Sequence, residues 1–160
     1  KALPRLEDCV SELRAEGNSV ILRPETMGKG AMLGSLEDTL EMSKIVGVEP
    51  CLDFAHLHAR PGDGTINTLE EWLIVLETYQ NALGNESLTR LHCHLSGIEY
   101  SEKGEQNHLI IRESDFNLEA LFKALHKVGA RGRILCESPA LEEDAQYIQK
   151  TWSSLSGEEY

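Results

Sequence analysis

Four short apolar runs each end on a carboxylate or an imidazole, and a helical pattern follows each one. They are Val20-Ile-Leu-Arg-Pro-Glu25, Cys51-Leu-Asp-Phe-Ala-His56, Leu91-His-Cys-His94 and Ile134-Leu-Cys-Glu137. Strands alternating with helices imply a parallel sheet with right-handed crossovers. In such folds the carboxyl ends of the strands carry the chemistry. Glu25, Asp53, His56, His94 and Glu137 are therefore the candidate site residues. Hard carboxylate oxygens together with imidazole nitrogens suit a divalent metal, zinc or manganese.

The intervening segments read as follows. Leu3, Leu6, Val10 and Leu13 recur at helical spacing over Leu3 to Glu16, and Gly17 stops that helix. Ser19 to Arg23 reads as a strand. Ser35 caps a helix through Val46, with Leu36, Leu40 and Ile45 inward and Asp38 three residues after the cap. Val48 to Phe54 is a second strand. A polar loop spans His58 to Asn67. Thr68 caps a third helix, with Glu71 completing a capping box and Trp72, Val75, Leu76 and Tyr79 on its core face. Leu88 to Leu95 is the third strand, and a long loop runs from Ser96 to Ser114. Asn117 to Val128 is a helix, Arg133 to Cys136 the fourth strand, and Leu141 to Leu155 the last helix.

The fold class is α/β. A closed barrel of TIM type needs eight strands, and four βα units after a leading helix make about half of one. Residues 1–160 are expected to form a single domain, the C-terminal half of a barrel. The chain opens on Lys1, as a fragment or processed chain does. A half barrel exposes sheet edges, to be covered by an N-terminal half or by self-association.

Composition adds limits. With 160 residues, 41% hydrophobic and 26% charged, the chain is ordinary for a globular protein. No apolar run approaches the roughly 20 residues that span a bilayer, so no membrane partner is expected. Cys9, Cys51, Cys93 and Cys136 form no C-x-x-C pair and read as buried thiols in a reduced, cytoplasmic setting. A formal net charge of −12 argues against a surface that coats nucleic acid. Bound divalent ions invert the field locally, so a nucleic-acid enzyme remains compatible with it.

The strand ends resemble the endonuclease IV family of apurinic/apyrimidinic endonucleases, within the xylose-isomerase-like barrel superfamily. The matching pieces are Arg23-Pro-Glu25 with Gly28-Lys-Gly30, Cys51-Leu-Asp-Phe-Ala-His56, His94-Leu-Ser-Gly97, Asn107-His108 to Phe116-Asn117, and Leu135-Cys-Glu-Ser-Pro139, in the family's order. The resemblance implies a site of two to three zinc ions that cleaves DNA 5′ to an abasic sugar. It implies one metal on Glu25, Asp53, His94 and Glu137, a second bridged by Glu25, and another on His56, His108 and an aspartate. Glu25 is the implied catalytic residue, bridging metals and orienting the attacking water. The aspartate position is occupied here by Gln106, a neutral and weaker ligand, with Glu105 one residue out of register. Ser96-Gly97 also departs from the family's more usual pair. A sugar isomerase or epimerase of the same superfamily is the rival reading. It uses the same Glu, Asp, His, Glu quartet around one manganese-type ion, and leaves His108 surplus.

The other candidates have plainer readings. Asp53 could equally cap a local turn. His92 shares a strand face with His94 and is expected to be buried behind it. His58 is expected in a solvated loop and His126 on a helix surface. Lys29, Arg60 and Lys103 lie in loops at the mouth, where they could reach phosphates.

Overall fold

Capping chemistry sets where the helices begin. The computed structural model describes residues 2–156. In chain order these form α1 (Ala2–Ala15), α2 (Leu36–Val46), β1 (Leu52–Asp53), α3 (Phe54–Ala59), α4 (Leu69–Leu83), β2 (Leu91–Leu95), β3 (Gly97–Ser101), β4 (Gly104–Leu109), α5 (Leu118–Lys127), β5 (Gly132–Cys136) and α6 (Glu142–Ser156). Ser35 accepts from the Asp38 backbone N–H, and the Asp38 carboxylate accepts from Ser35 N in return. Thr68 and Glu71 make the same reciprocal pair at α4. Gly47 ends α2 at φ 78°, a left-handed conformation that glycine adopts without a Cβ clash.

Strands β1, β2 and β5 form a parallel sheet in that order. The segment before β1 joins it through a parallel bridge between Glu25 and Cys51. Cys51 N donates to Pro24 O at 2.8 Å, and Thr26 N donates to Cys51 O at 3.0 Å. The sheet order thus follows chain order, as in a parallel barrel. The strand expected over Ser19 to Arg23 does not form, and ladder pairing in this segment begins with the bridge at Glu25. Pro24 has no N–H to donate, and an edge position is where a sheet tolerates that.

Each strand splits its side chains between two faces. Leu52, Cys93 and Leu95 pack onto Trp72, Leu76, Leu121 and Phe122 in one core. Phe54 meets Trp72 edge-on, with ring centroids 5.5 Å apart. Trp72 and Tyr79 are buried as their helical spacing predicts. Asp53, His94 and Leu135 line the opposite, concave face, paired across the sheet.

Three expectations change. Residues 96–114 contain an antiparallel hairpin, β3 with β4, where a long loop was expected. Its residues are mostly polar, so no apolar alternation marks it. Phe54–Ala59 is a helix, six residues long and too short to show a period. Ile45 is 55% exposed. It lies nine residues beyond Leu36, roughly half a turn around the helix from the buried stripe. Among the described residues no helix is long and apolar enough to cross a membrane.

The Glu71 carboxylate is held down to about 2, first by the Asn67 N–H and then by the Thr68 hydroxyl and N–H. Its stabilising contribution is complete above its ordinary value of 4.5 and is lost as pH falls toward 2. Glu71→Gln is therefore expected to be less stable than wild type at pH 7 and to show a smaller loss of melting temperature across that window. Thermal melts from pH 7 to pH 2 followed by circular dichroism check this.

Candidate metal centre

Sheet register explains the choice of side chains. Asp53 and His94 are direct partners, at one level of the concave face. A short aspartate suffices there. Glu25 pairs with Cys51, two residues lower, and Glu137 lies two residues beyond Leu135, the partner of His94. At roughly 3.3 Å per residue, both need the longer glutamate to reach the same point. They do reach it: His94 Nδ1 lies 3.1 Å from Glu25 Oε1 and 3.1 Å from Glu137 Oε1. Ligand atoms of Glu25, Asp53, His94 and Glu137 all lie within 4.8 Å of one another.

Asp53 serves two functions at once. Its Oδ1 accepts from His56 N at 2.8 Å and caps α3, as the capping reading expects, which leaves the other oxygen for a ligand role. Its Oδ2 is buried and has no hydrogen-bond partner. Burial pushes this carboxyl up from its ordinary range, against the opposing effect of His56. His56 Nδ1 lies 3.6 Å from this oxygen, beyond hydrogen-bond range, and a buried carboxylate oxygen with no donor, set among other potential ligand atoms, is one a cation could use. Thr26, fully buried, holds the residue from behind. Its hydroxyl accepts from Asp53 N at 2.9 Å and donates to Asp53 O at 3.2 Å.

His56 and His108 form a second cluster beside the first. His56 Nδ1 lies 2.9 Å from Thr26 O, and His108 Nδ1 lies 3.2 Å from Glu137 O. A carbonyl only accepts, so both Nδ1 atoms donate. The Nε2 atoms of the two rings then face each other across 3.2 Å. A cation shared between them would draw on both nitrogens. The orienting carbonyls are the outer partners that metal-bound histidines use. Donor atoms of Asp53, His56 and His108 also fall within 4.8 Å of each other.

The remaining candidates separate clearly. Gln106 turns away: it is exposed, and its amide donates to Ser101 Oγ at 3.0 Å. His58 is fully buried on α3, not solvated. Its Nε2 meets Asp115 at 3.1 Å, and the Tyr100 hydroxyl donates to the same carboxylate at 2.5 Å. This network ties α3 to the hairpin, and it is a support that sequence reading missed. His126 is half-buried against Trp152, stacked at 3.8 Å, instead of lying free on the surface. His92 is half-buried on the concave face, and its desolvation together with nearby Arg23 lowers its basicity. Arg60 donates to the carbonyls of Met27, Lys29, Gly30 and Met32, so it folds the loop after Glu25 and is not free for phosphate. Lys29 and Lys103 are exposed near that loop and the hairpin turn. Of the cysteines, Cys51 and Cys93 are buried, Cys136 is half-buried and Cys9 is exposed, contrary to the expectation of four buried thiols. Burial, with Glu25, Asp53 and Glu137 close by, pushes the Cys51 thiol up to about 12.

Thr26→Val removes one hydroxyl and leaves Asp53 N buried without an acceptor. It is expected to cost about 1–3 kcal/mol. Urea denaturation checks this, with the slope expected to be unchanged.

Residues 1–154 match the family described as xylose isomerase-like TIM barrel. An uncharacterized protein of Methanocaldococcus jannaschii is 40% identical over 150 residues, covering 94% of this chain and 55% of its own length. A solved structure described as "The crystal structure of AsfvAP:AG" superposes with a TM-score of 0.56 at 16% identity, over 91% of this chain and 57% of that one, a likeness of fold. The chain therefore spans a little over half the length of these relatives. Its parallel strands in sequential order and its matched length agree: the chain belongs to the xylose isomerase-like TIM barrel family.

Proposed function

We propose that this chain carries the metal-holding half of a phosphodiesterase that cleaves DNA 5′ to abasic sites. The observation that carries this reading is the pairing of two adjoining donor clusters. Glu25, Asp53, His94 and Glu137 form one, and the facing imidazoles of His56 and His108 belong to the other. A single-metal sugar enzyme uses the first and has no need of the second. The donor set fits zinc, with manganese as the alternative for the carboxylate-rich cluster.

Divalent ions held there would stabilise negative charge on the non-bridging oxygens of a phosphodiester during in-line attack. The protein's own groups have distinct roles. Glu25, Asp53 and Glu137 supply three carboxylates that keep neighbouring cations from repelling each other. Glu25 Oε1 lies 3.1 Å from His94 Nδ1 and 3.5 Å from His56 Nδ1, between the clusters, where it can orient water and take its proton. His94, His56 and His108 add neutral nitrogens. The fully buried Asp53 is fixed by its helix cap and by Thr26, so its free oxygen is positioned in advance. The concave face, with Leu135 47% exposed, is in this reading covered by the remaining strands of a barrel.

The rival reading is a divalent-metal sugar isomerase or epimerase. The net charge of −12 favours it, because DNA binding must then rely on a local field at the metals.

The test uses this chain and the full-length Methanocaldococcus jannaschii relative, each with a duplex bearing one abasic site. The expected result is nicking that EDTA abolishes, with two zinc ions in this chain and two or three in the full-length relative by elemental analysis. Glu25→Gln is expected to lower the rate by about 10²–10³-fold, the size of removing one preorganised group. One ion per molecule and no nicking by either protein would move the assignment to the sugar enzyme.

A further inference from the structure

The hairpin has one residue too many on its second strand. Ile98 pairs with His108 and Glu99 with Asn107, but the next residue, Tyr100, pairs with Glu105. Gln106 is the extra residue, a β-bulge. Strict alternation would turn Gln106 toward the His108 side and Glu105 away from it. The bulge reverses this, so residues three apart share a face. Glu105 Oε2 consequently lies 3.6 Å from His56 Nε2, which lies 3.2 Å from His108 Nε2. Metal–ligand bonds of about 2.0–2.1 Å in a tetrahedron put donor atoms roughly 3.3 Å apart.

A second feature holds Glu105 there. Its backbone N–H donates to Gly28 O at 2.8 Å, and Lys29 bridges to Gly104 alongside. A Cβ built on Gly28 would sit 2.6 Å from Glu105 Cβ and 2.8 Å from its Oε2. The space a side chain would need at Gly28 is thus taken by Glu105. Asp53, whose buried Oδ2 has no hydrogen-bond partner, belongs both to the group formed with His56 and His108 and to that of Glu25, His94 and Glu137, so the Glu105 site adjoins the first cluster.

We propose that Glu105, in place of Gln106, is the carboxylate ligand of a divalent cation at the His56–His108 position. This deepens the two-metal reading above and rests on its second cluster.

The chain stripped of metal is titrated with Zn²⁺ by calorimetry and with Co²⁺ by visible absorption, and bound ions are counted by elemental analysis after desalting. Wild type is expected to hold two ions. Supporting groups around a metal ligand are worth 10–100-fold in affinity, so E105Q is expected to weaken one site by at least about 100-fold and leave the other unchanged. Q106A is expected to keep both. G28A, which changes no ligand residue, is expected to weaken the same site as E105Q by displacing Glu105. Circular dichroism of the metal-free variants separates misfolding from ligand loss; if E105Q misfolds, G28A against Q106A decides. The proposal is overturned if E105Q or G28A binds both ions as wild type does, if Q106A loses the site, or if wild type holds one ion. Loss of one of the two ions in this pattern, without DNA nicking by wild type, would sustain the ligand assignment and reject the nuclease.

Discussion

The quartet of Glu25, Asp53, His94 and Glu137 follows from side-chain alternation in one parallel sheet. Leu52 pairs with Cys93, which pairs with Ile134, and these face the helices. Asp53, His94 and Leu135 are the next level and face the other way. A slip of one residue would exchange the two sets, burying the carboxylate against Trp72 and exposing the core. The apolar face thereby specifies the register, and the register delivers the ligands. The alternation of length among Glu25, Asp53, His94 and Glu137 follows from the levels at which their strands present them.

Asp53 shows what such a site costs the free protein. The residue is fully buried, yet one of its oxygens has no partner. Protein that left it ionised without a cation would carry a desolvation penalty of several kcal/mol. Its carboxyl is accordingly pushed up by burial. A cation held there would bind the folded chain only, because the donors come together only in the fold, so its binding energy would add to stability. The groups that weaken the empty protein are those that strengthen the occupied one.

Much of this was legible in the sequence, and the exceptions have physical causes. The quartet could be read because each ligand ends an apolar run, where strand chemistry concentrates. The helices with capping boxes at Ser35 and Thr68 could be read because local hydrogen bonds define them. Helix α3 could not, since six residues give no period, and His58 was therefore placed in solvent. The hairpin was hidden because Glu99, Ser101, Glu105, Gln106 and Asn107 are polar on both faces. Gln106 looked like a failed ligand for the same reason: a bulge is a property of pairing, and pairing is invisible in one strand.

The two clusters are consequently held by different kinds of support. Glu25, Asp53, His94 and Glu137 project from adjoining strands that bury a common core, so their spacing changes only if the sheet does. Glu105 and His108 sit on a two-stranded hairpin, a unit that is marginal alone. Its position depends on Gly28 O, on the Lys29–Gly104 bridge and on the Tyr100–Asp115–His58 network. Local opening concentrates in elements with few buried apolar contacts. The hairpin, whose inward apolar anchor is Ile98 packed on Ala55 and Ala59, is such an element. Local opening would therefore release the hairpin donors, Glu105 and His108, before it disturbed the sheet-held quartet or His56 on α3, and the Gly28 contact would carry that opening to the loop that follows Glu25.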